Sequence, residues 1–360
     1  MNFLHSENGF ILAATLWILT AIVLATGLFA LWTHHATEVV LREQEDVQGE
    51  IDLSSTRSAL LYLLATQRMT LAGLTIPQAE AQDRQEKKNI NPLGISVMPA
   101  GREIALDDRV YQGTGSACFS LQDEGGLTGL NYFFSPQLEK LLGLYGVPAP
   151  QRAPLTDKLM DYTDKDDLHR LNGAEAGDYE RQGLPLPPNR PLLTSWEVRN
   201  VMGWENYPGL WKGNPLPRLT TVASGGMPNL NTAPKTILKT ITGIDDEIAE
   251  RIIAAREDKP FSSIRDISRA AGRPLNLSPL GHSFLPSARL RLTLWHKGGQ
   301  LGREVHVRLT PRADKQAPWT IDYELSVPLT PSQKQVDKIL LPGESFFLII
   351  TDLGEAPLLD

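Results

Sequence analysis

Residues 10–33 read FILAATLWILTAIVLATGLFALWT. No residue between Glu7 and Glu38 carries a formal charge. At 1.5 Å per residue the stretch is ~36 Å long as a helix, enough for a hydrocarbon core of ~30 Å. A buried helix of a soluble domain rarely runs this far without a polar face, so the segment reads as a membrane span. Everything after it is then delivered to one side of a bilayer.

The residues before the span, MNFLHSENG, hold no Lys or Arg, and Arg42 is the first basic residue after it. A secretory signal combines a basic start, a short apolar core and a small-residue cleavage site after that core. Here the apolar run is too long and TEVVLREQEDV follows it, so the span is expected to be retained.

Beyond the span Val39, Val40, Val47, Ile51, Leu60, Leu61 and Leu64 recur at mixed three- and four-residue steps between Glu and Arg. That is the pattern of an amphipathic helix, and a single helix from Phe10 to about Leu71 would be roughly 90 Å long. Half of it is apolar all round and half is two-faced, which makes it a spine.

Residues 73–101 are polar and interrupted by Pro77 and Pro92, a connection by composition. Short strands are expected at 102–106, 109–112 and 117–121, separated by Asp-Asp and Gly-Thr-Gly-Ser turns. From Leu127 the pattern becomes helical pieces punctuated by proline, at 135–145, 154–162, 194–202 and 234–242, with GLPLPPNRP at 183–191 as a loop. From Ala288 the period returns to two: Leu290, Leu292 and Leu294, then Val305, Val307 and Leu309, with Gly298-Gly299 between them as a hairpin turn. Further strands are expected at 319–327 and 345–351, the second apolar enough to be central. The fold class is α+β: a long N-terminal spine helix packed on an antiparallel sheet whose strands flank a large inserted α-helical domain.

The chain of 360 residues has a formal net charge of −7, which argues against non-specific binding to nucleic acid. Its single cysteine, Cys118, excludes an internal disulfide and reads as a small buried hydrophobe.

Residues 227–267 carry the clearest local pattern. Thr232 is placed to cap a helix with Pro234 in its first turn, and Ile237, Leu238 and Ile241 form its apolar stripe. A second helix starts near Asp245 and buries Ile248, Ile252 and Ile253. Together they make a helix-hairpin-helix. In nucleic-acid binders that hairpin presents bare backbone amides to a phosphate. Here Gly243 is followed by Asp245, Asp246 and Glu247, three carboxylates that repel a phosphate, so the scaffold reading outweighs DNA binding.

The acidic tract Asp161, Asp164, Asp166 and Asp167, followed by Glu175, Asp178 and Glu180, has the oxygens that calcium needs in a flexible loop. It does not follow EF-hand spacing, and an acidic loop is more often simply solvated, so the tract alone leaves both readings open. No G-x-S-x-G, HExxH, paired-cysteine or Walker pattern occurs. Gly113 to Ser116 is a turn. His34-His35 sit where the span meets water; His169, His282, His296 and His306 are scattered. Trp17 and Trp32 are placed to anchor at a membrane interface, and Trp196, Trp204 and Trp211 are expected core residues.

These features together resemble the minor pseudopilin K family of the type II secretion system, over nearly the whole chain and most weakly over the last ~40 residues. Gly9-Phe10 before an uncharged span is similar to a prepilin processing site. The internal matches are GLTGLN at 126–131, LMDYTDKDD at 159–167, GAEAGDYE at 173–180, PNLNTAP at 228–234, GIDDEIAERIIAAR at 243–256 and PFSSIRDI at 260–267, in the family's order.

The resemblance implies a leader at 1–9, a span at 10–33, an amphipathic spine at 34–72, pilin-like strands at 73–122, an inserted helical domain at 123–287 and the remaining strands at 288–360. It implies cleavage after Gly9 and methylation of Phe10 by a prepilin peptidase. It also implies calcium in the helical domain, with Asp161, Asp164, Asp166, Asp167, Glu175 and Asp178 as candidates. The implied setting is a single-pass inner-membrane protein with its head in the periplasm of a Gram-negative bacterium, not an enzyme. Its expected partners are the I- and J-type minor pseudopilins, the major pseudopilin and the inner-membrane platform. Prepilin leaders are usually basic and this one is not, and the segment after Pro311 is longer than the family's usual ending.

Most pilin-like proteins carry glutamate at the fifth mature position, where this chain has Ala14. A carboxylate unpaired in hydrocarbon costs several kcal/mol, and a subunit that enters first has no preceding ammonium to pair with. Alanine there fits a tip position, as does a bulky inserted block that would obstruct a subunit above it. Two other classes stand against this one: a membrane-anchored DNA-uptake protein using the hairpin at Gly243, and a membrane-tethered calcium-dependent hydrolase using the acidic tract.

Overall fold

The computed structural model describes residues 8–77, 97–132, 135–223, 228–277, 282–310 and 317–335; the strand expected at 345–351 lies outside them. The chain divides into two compact units, Met1–Asp52 and Leu53–Asp360.

Helix α1 is Asn8–Thr66. It contains the one described segment long and apolar enough to cross a membrane. In the first unit its large side chains are bare, with Leu12 and Trp17 more than three-quarters exposed. So much contiguous apolar surface has to be covered by lipid or by other helices. The threonines of the span do not spoil it. Thr20 Oγ1 donates to Leu16 O at 2.8 Å, Thr26 Oγ1 to Ile22 O at 2.7 Å and Thr33 Oγ1 to Phe29 O at 2.8 Å, so each hydroxyl is satisfied within the helix.

The helix stops at Thr66, earlier than its pattern suggests. Residues 69–75 instead turn back as β1 (Met69–Thr70) and β2 (Gly73–Thr75), joined by β3 (Glu103–Ile104). Gly73 enforces this. Its φ is +138°, and a Cβ there would sit 2.1 Å from the carbonyl oxygen of Ile104.

The main sheet is antiparallel: β4 (Asp107–Gln112), β5 (Ala117–Asp123), β8 (Arg289–His296), β9 (Leu301–Leu309) and β10 (Trp319–Pro328), in the order β10-β9-β8-β5-β4. Leu53, Leu60, Leu63 and Leu64 of α1 pack on Phe119, Leu121, Leu290, Leu292, Leu294, Val305 and Val307, the alternating residues of its inner face. Each such side chain contributes ~1.5–3 kcal/mol on burial. The turn between β4 and β5 is pinned to the helix as well. Thr114 N donates to Thr56 Oγ1 at 2.9 Å, and a Cβ on Gly113 would stand 2.5 Å from that oxygen.

Between β5 and β8 lies the helical block. Its larger elements are α2 (Ser135–Leu144), α3 (Ala149–Thr163), α4 (Ala176–Arg181), α5 (Lys235–Leu238), α6 (Asp246–Asp258) and α7 (Ile264–Ala271); short strands β6 (Thr128–Gly129) and β7 (Thr220–Thr221) pair in parallel. The helix expected at 194–202 is the 3-10 segment Ser195–Asn200. The block has its own core, which includes Leu138, Leu159, Tyr179, Trp204, Ile237, Ile248 and Ile267.

Thr232 does not cap α5. Its hydroxyl donates to Asp123 Oδ2 at 2.8 Å, while the N-cap is Pro234. Asp123, at the end of β5, also accepts from Gly125 N, Ser287 N and Asn229 Nδ2, so it ties the chain's exit into the block to its return. Asn231 completes the seam by holding Phe261 N and O and Phe284 O. The stretch PNLNTAP therefore does structural work at the base of the block.

Candidate metal centre

The acidic tract spreads over the end of α3, the following loop and the start of α4. Asp161 is on the inner side of α3 and is fully buried. Asp164 follows the last turn, and Glu175, only 3% exposed, precedes α4. Gly173 lets the loop close over Asp161, because a Cβ there would fall 1.7 Å from Asp161 Oδ2. That contact requires glycine.

Five oxygens here are buried without a well-formed hydrogen bond: Asp161 Oδ1, Asp164 Oδ1, both carboxylate oxygens of Glu175, which meets only the Asp178 N–H of the α4 capping box, and Asn189 Oδ1. Burial pushes Glu175 up to about 7, and the charges of Asp161, Asp164 and Asp167 push it the same way. Asp164 is raised by burial and then by Asp166. Buried carboxylate oxygens that lack donors are costly, and a hard cation that prefers oxygen ligands would neutralise them. Among the described residues no three His, Cys, Asp or Glu side chains already stand close enough to clasp a metal. Arg170 reaches in from the loop: its Nε lies 3.3 Å from Asp161 Oδ1 and its Nη2 lies 3.2 Å from Asp164 Oδ2.

The six sequence candidates thus separate. Asp161, Asp164 and Glu175 are near enough for their charges to act on one another, though not near enough to clasp an ion as they stand. Asp167 is exposed, and its Oδ1 accepts from Asn189 Nδ2 at 3.1 Å, which links it to the side chain whose own oxygen is unpartnered. Asp166 is exposed and accepts from Leu168 N at 3.0 Å. Asp178 is committed elsewhere. His169 bonds its Oδ2 at 2.5 Å, Glu175 N donates to the same atom at 3.0 Å, and Arg181 bonds Oδ1, so its carboxyl is held down to about 2. It caps α4. Asn189 is the one contributor that the sequence reading omitted, since an asparagine in a proline-rich loop carries no ligand signal.

The hairpin at Gly243 is also occupied by its own side chains. Asp245 Oδ1 accepts from Ile248 N at 2.9 Å as the N-cap of α6, Lys235 and Lys239 pair with Asp246, and Arg273 donates to Gly243 O. Its surface presents carboxylates where a phosphate would have to approach.

Gly9 and Phe10 lie in the first turn of α1, and Ala14, partly exposed, follows one turn on. The first amides of a helix have no partner within it, and glycine is a poor helix former, so the Gly9–Phe10 bond sits where the helix opens most easily.

Two family models match the chain, both described as type II secretion system (T2SS), protein K: one over residues 121–207, the other over 228–278. No curated protein matches the sequence. A similar solved structure is the crystal structure of the GspK-GspI-GspJ complex from the type 2 secretion system of enterotoxigenic Escherichia coli. The identity is 16%, with 80% of this chain and 99% of that chain covered and a TM-score of 0.47.

Proposed function

Because the chain belongs to the type II secretion system protein K family, we propose that it is the minor pseudopilin at the tip of the pseudopilus, where it starts assembly and supports export of folded proteins. The observation that carries this reading is the helical block, within which both family models match almost entirely, set between strands of a sheet that packs on the C-terminal part of α1. In this role the span of α1 anchors the chain in the inner membrane, with the head in the periplasm, and later bundles with the helices of other subunits. The partners are I- and J-type pseudopilins, the major pseudopilin, the prepilin peptidase and the inner-membrane platform. The protein acts by assembly, and no step of covalent chemistry is assigned to it.

A gold-labelled tag on the head tests the position. One label per sheared pseudopilus, at one end, is the expected image; labels distributed along the shaft would exclude the tip.

Calcium belongs to this reading as a structural ion. Asp161, Asp164 and Glu175 would hold it, with Asp167 and Asn189 beside them. It would supply positive charge to join the end of α3 to the start of α4. At a hundredfold excess over its dissociation constant such an ion adds ~2.7 kcal/mol, or about 4 °C in Tm for a head running from Leu53 to the end of the chain. Chelation of the detergent-solubilised full chain should lower the Tm by that amount, and Glu175→Gln should remove most of the difference. A Tm indifferent to chelator would take calcium out of the account.

A further inference from the structure

Within the site just assigned, Arg170 holds an unusual position. It lies on the loop that closes over Asp161, and 41% of its side chain is exposed. Its backbone N–H donates to Asp161 Oδ2 at 3.2 Å and its carbonyl accepts from Gly173 N at 3.1 Å, so its main chain is part of the closed loop. Its side chain then bends back to Asp161 and Asp164. The contact with Asp161 Oδ1 is an ion pair without hydrogen-bond alignment, since that oxygen accepts no hydrogen bond. Neither oxygen of Glu175 has a well-formed hydrogen bond, its one neighbouring donor being the Asp178 N–H of the α4 capping box.

A guanidinium built to bind a carboxylate uses two parallel N–H bonds. Arg170 instead reaches one oxygen of each of two acids, so it acts as a shared counter-charge and not as a fixed fork. The acids it touches are the ones a divalent cation would need, and a cation and a guanidinium cannot both occupy them.

We propose that Arg170 is an internal placeholder for the cation: it holds Asp161 and Asp164 together when no metal is bound, and metal binding displaces its side chain into solvent. The inference rests on the calcium reading above and adds the element that sets affinity. Its exposed side chain can leave without disturbing the core, while its backbone bonds keep the loop closed. The positive charge of the arginine is exchanged for that of the metal.

A competitor lowers affinity by the strength of its own interaction. A partly exposed ion pair contributes up to ~1 kcal/mol, so removing it should tighten binding by roughly fivefold. The test is calcium titration of the full chain in detergent by calorimetry, with terbium luminescence as a second probe, since Tyr162 and Tyr179 lie near the site. Arg170→Gln should bind calcium about fivefold more tightly than the unaltered chain. It should also have a lower Tm in chelator and a larger calcium-induced rise in Tm. Arg170→Lys should lie between the two.

A merely structural arginine would lower the Tm equally with and without calcium and leave affinity unchanged or weaker; that result overturns the placeholder while the calcium site stands. If neither the unaltered chain nor Arg170→Gln binds calcium or terbium, the calcium reading falls and takes the placeholder with it. Binding by Arg170→Gln alone would support the competition in its strongest form.

Discussion

Replacing Glu304 with alanine is expected to destabilise the head by about 3–5 kcal/mol, enough to unfold much of it, because it leaves buried cations without their counter-charge. Glu304 is 1% exposed on β9. Arg218 bonds its Oε2; its Oε1 lies 2.8 Å from His306 Nε2 and 3.7 Å from Arg291 Nε. Arg218 continues to Thr293 Oγ1 at 3.1 Å and to Asp108 Oδ2 at 3.2 Å, while Arg291 donates to the carbonyls of Arg218 and Thr220 at 2.9 and 2.7 Å. His306 Nδ1 bonds Glu124, which also accepts from Thr221 Oγ1 at 2.7 Å. This network fastens the 3-10 turn Leu216–Leu219 and strand β7 of the helical block onto the outer face of β8 and β9.

Burial alone would raise the pKa of Glu304, but Arg291, Arg218 and His306 outweigh it and hold the carboxyl well below the usual range. Glu124 is likewise lowered despite its burial, through His306 and Arg291. A folded-state pKa below the unfolded value of ~4.3 gives stability that is present above that pH and is lost as the pH falls toward the folded value. Urea denaturation followed by tryptophan fluorescence measures both effects. In Glu304→Gln, which keeps the shape and loses the charge, the acid dependence should be reduced. A loss below ~1 kcal/mol in Glu304→Ala would mean that the network is not holding the block.

This network was the least legible part of the sequence. The alternation in β8 and β9 shows which residues face α1, while Arg291, Thr293, Glu304 and His306, which alternate with them, carry no mark of burial in the sequence. They are buried because the helical block covers that side, and no local pattern carries that information. Asp108 and Glu124 are far from both strands in the chain and meet them only once the fold has closed. By contrast, the apolar half of α1, the 290–294 and 305–309 alternation and the cap at Asp245 are local signals, and local physics decides them. Helix α7 had its signal in plain view: Ser263 accepts from Asp266 N as the N-cap, and Gly272 at φ +71° ends the helix. At the acidic tract composition overcounted, because type and spacing did not distinguish Asp178, a helix cap, from Asp161, a buried carboxylate with an unpartnered oxygen.

Mass spectrometry of the chain isolated from cells with prepilin peptidase should find an N-terminus at Phe10, heavier by one methyl group, and cells without the peptidase should keep Met1. The effect is all or none. Cleavage between Gly9 and Phe10 removes MNFLHSENG and leaves a new ammonium at the head of an uncharged span. Gly9→Val should block the cut: a β-branched side chain would crowd the peptidase at the scissile bond and stiffen the first turn of α1. The uncut chain keeps Glu7 and a polar nonapeptide at one end of the span, and charged groups are costly in hydrocarbon, so it should stay in the membrane without entering a filament. Ala14→Glu separates processing from position. It should be cut normally, yet it places a carboxylate one turn into the span, where a leading subunit has no preceding ammonium to pair with it, at a cost of several kcal/mol. Secretion should therefore fall in Ala14→Glu although its N-terminus is correct. If it secretes as well as the unaltered chain, the alanine is no mark of the tip; if the isolated chain begins at Met1 in the presence of an active peptidase, assembly through a processed helix is excluded.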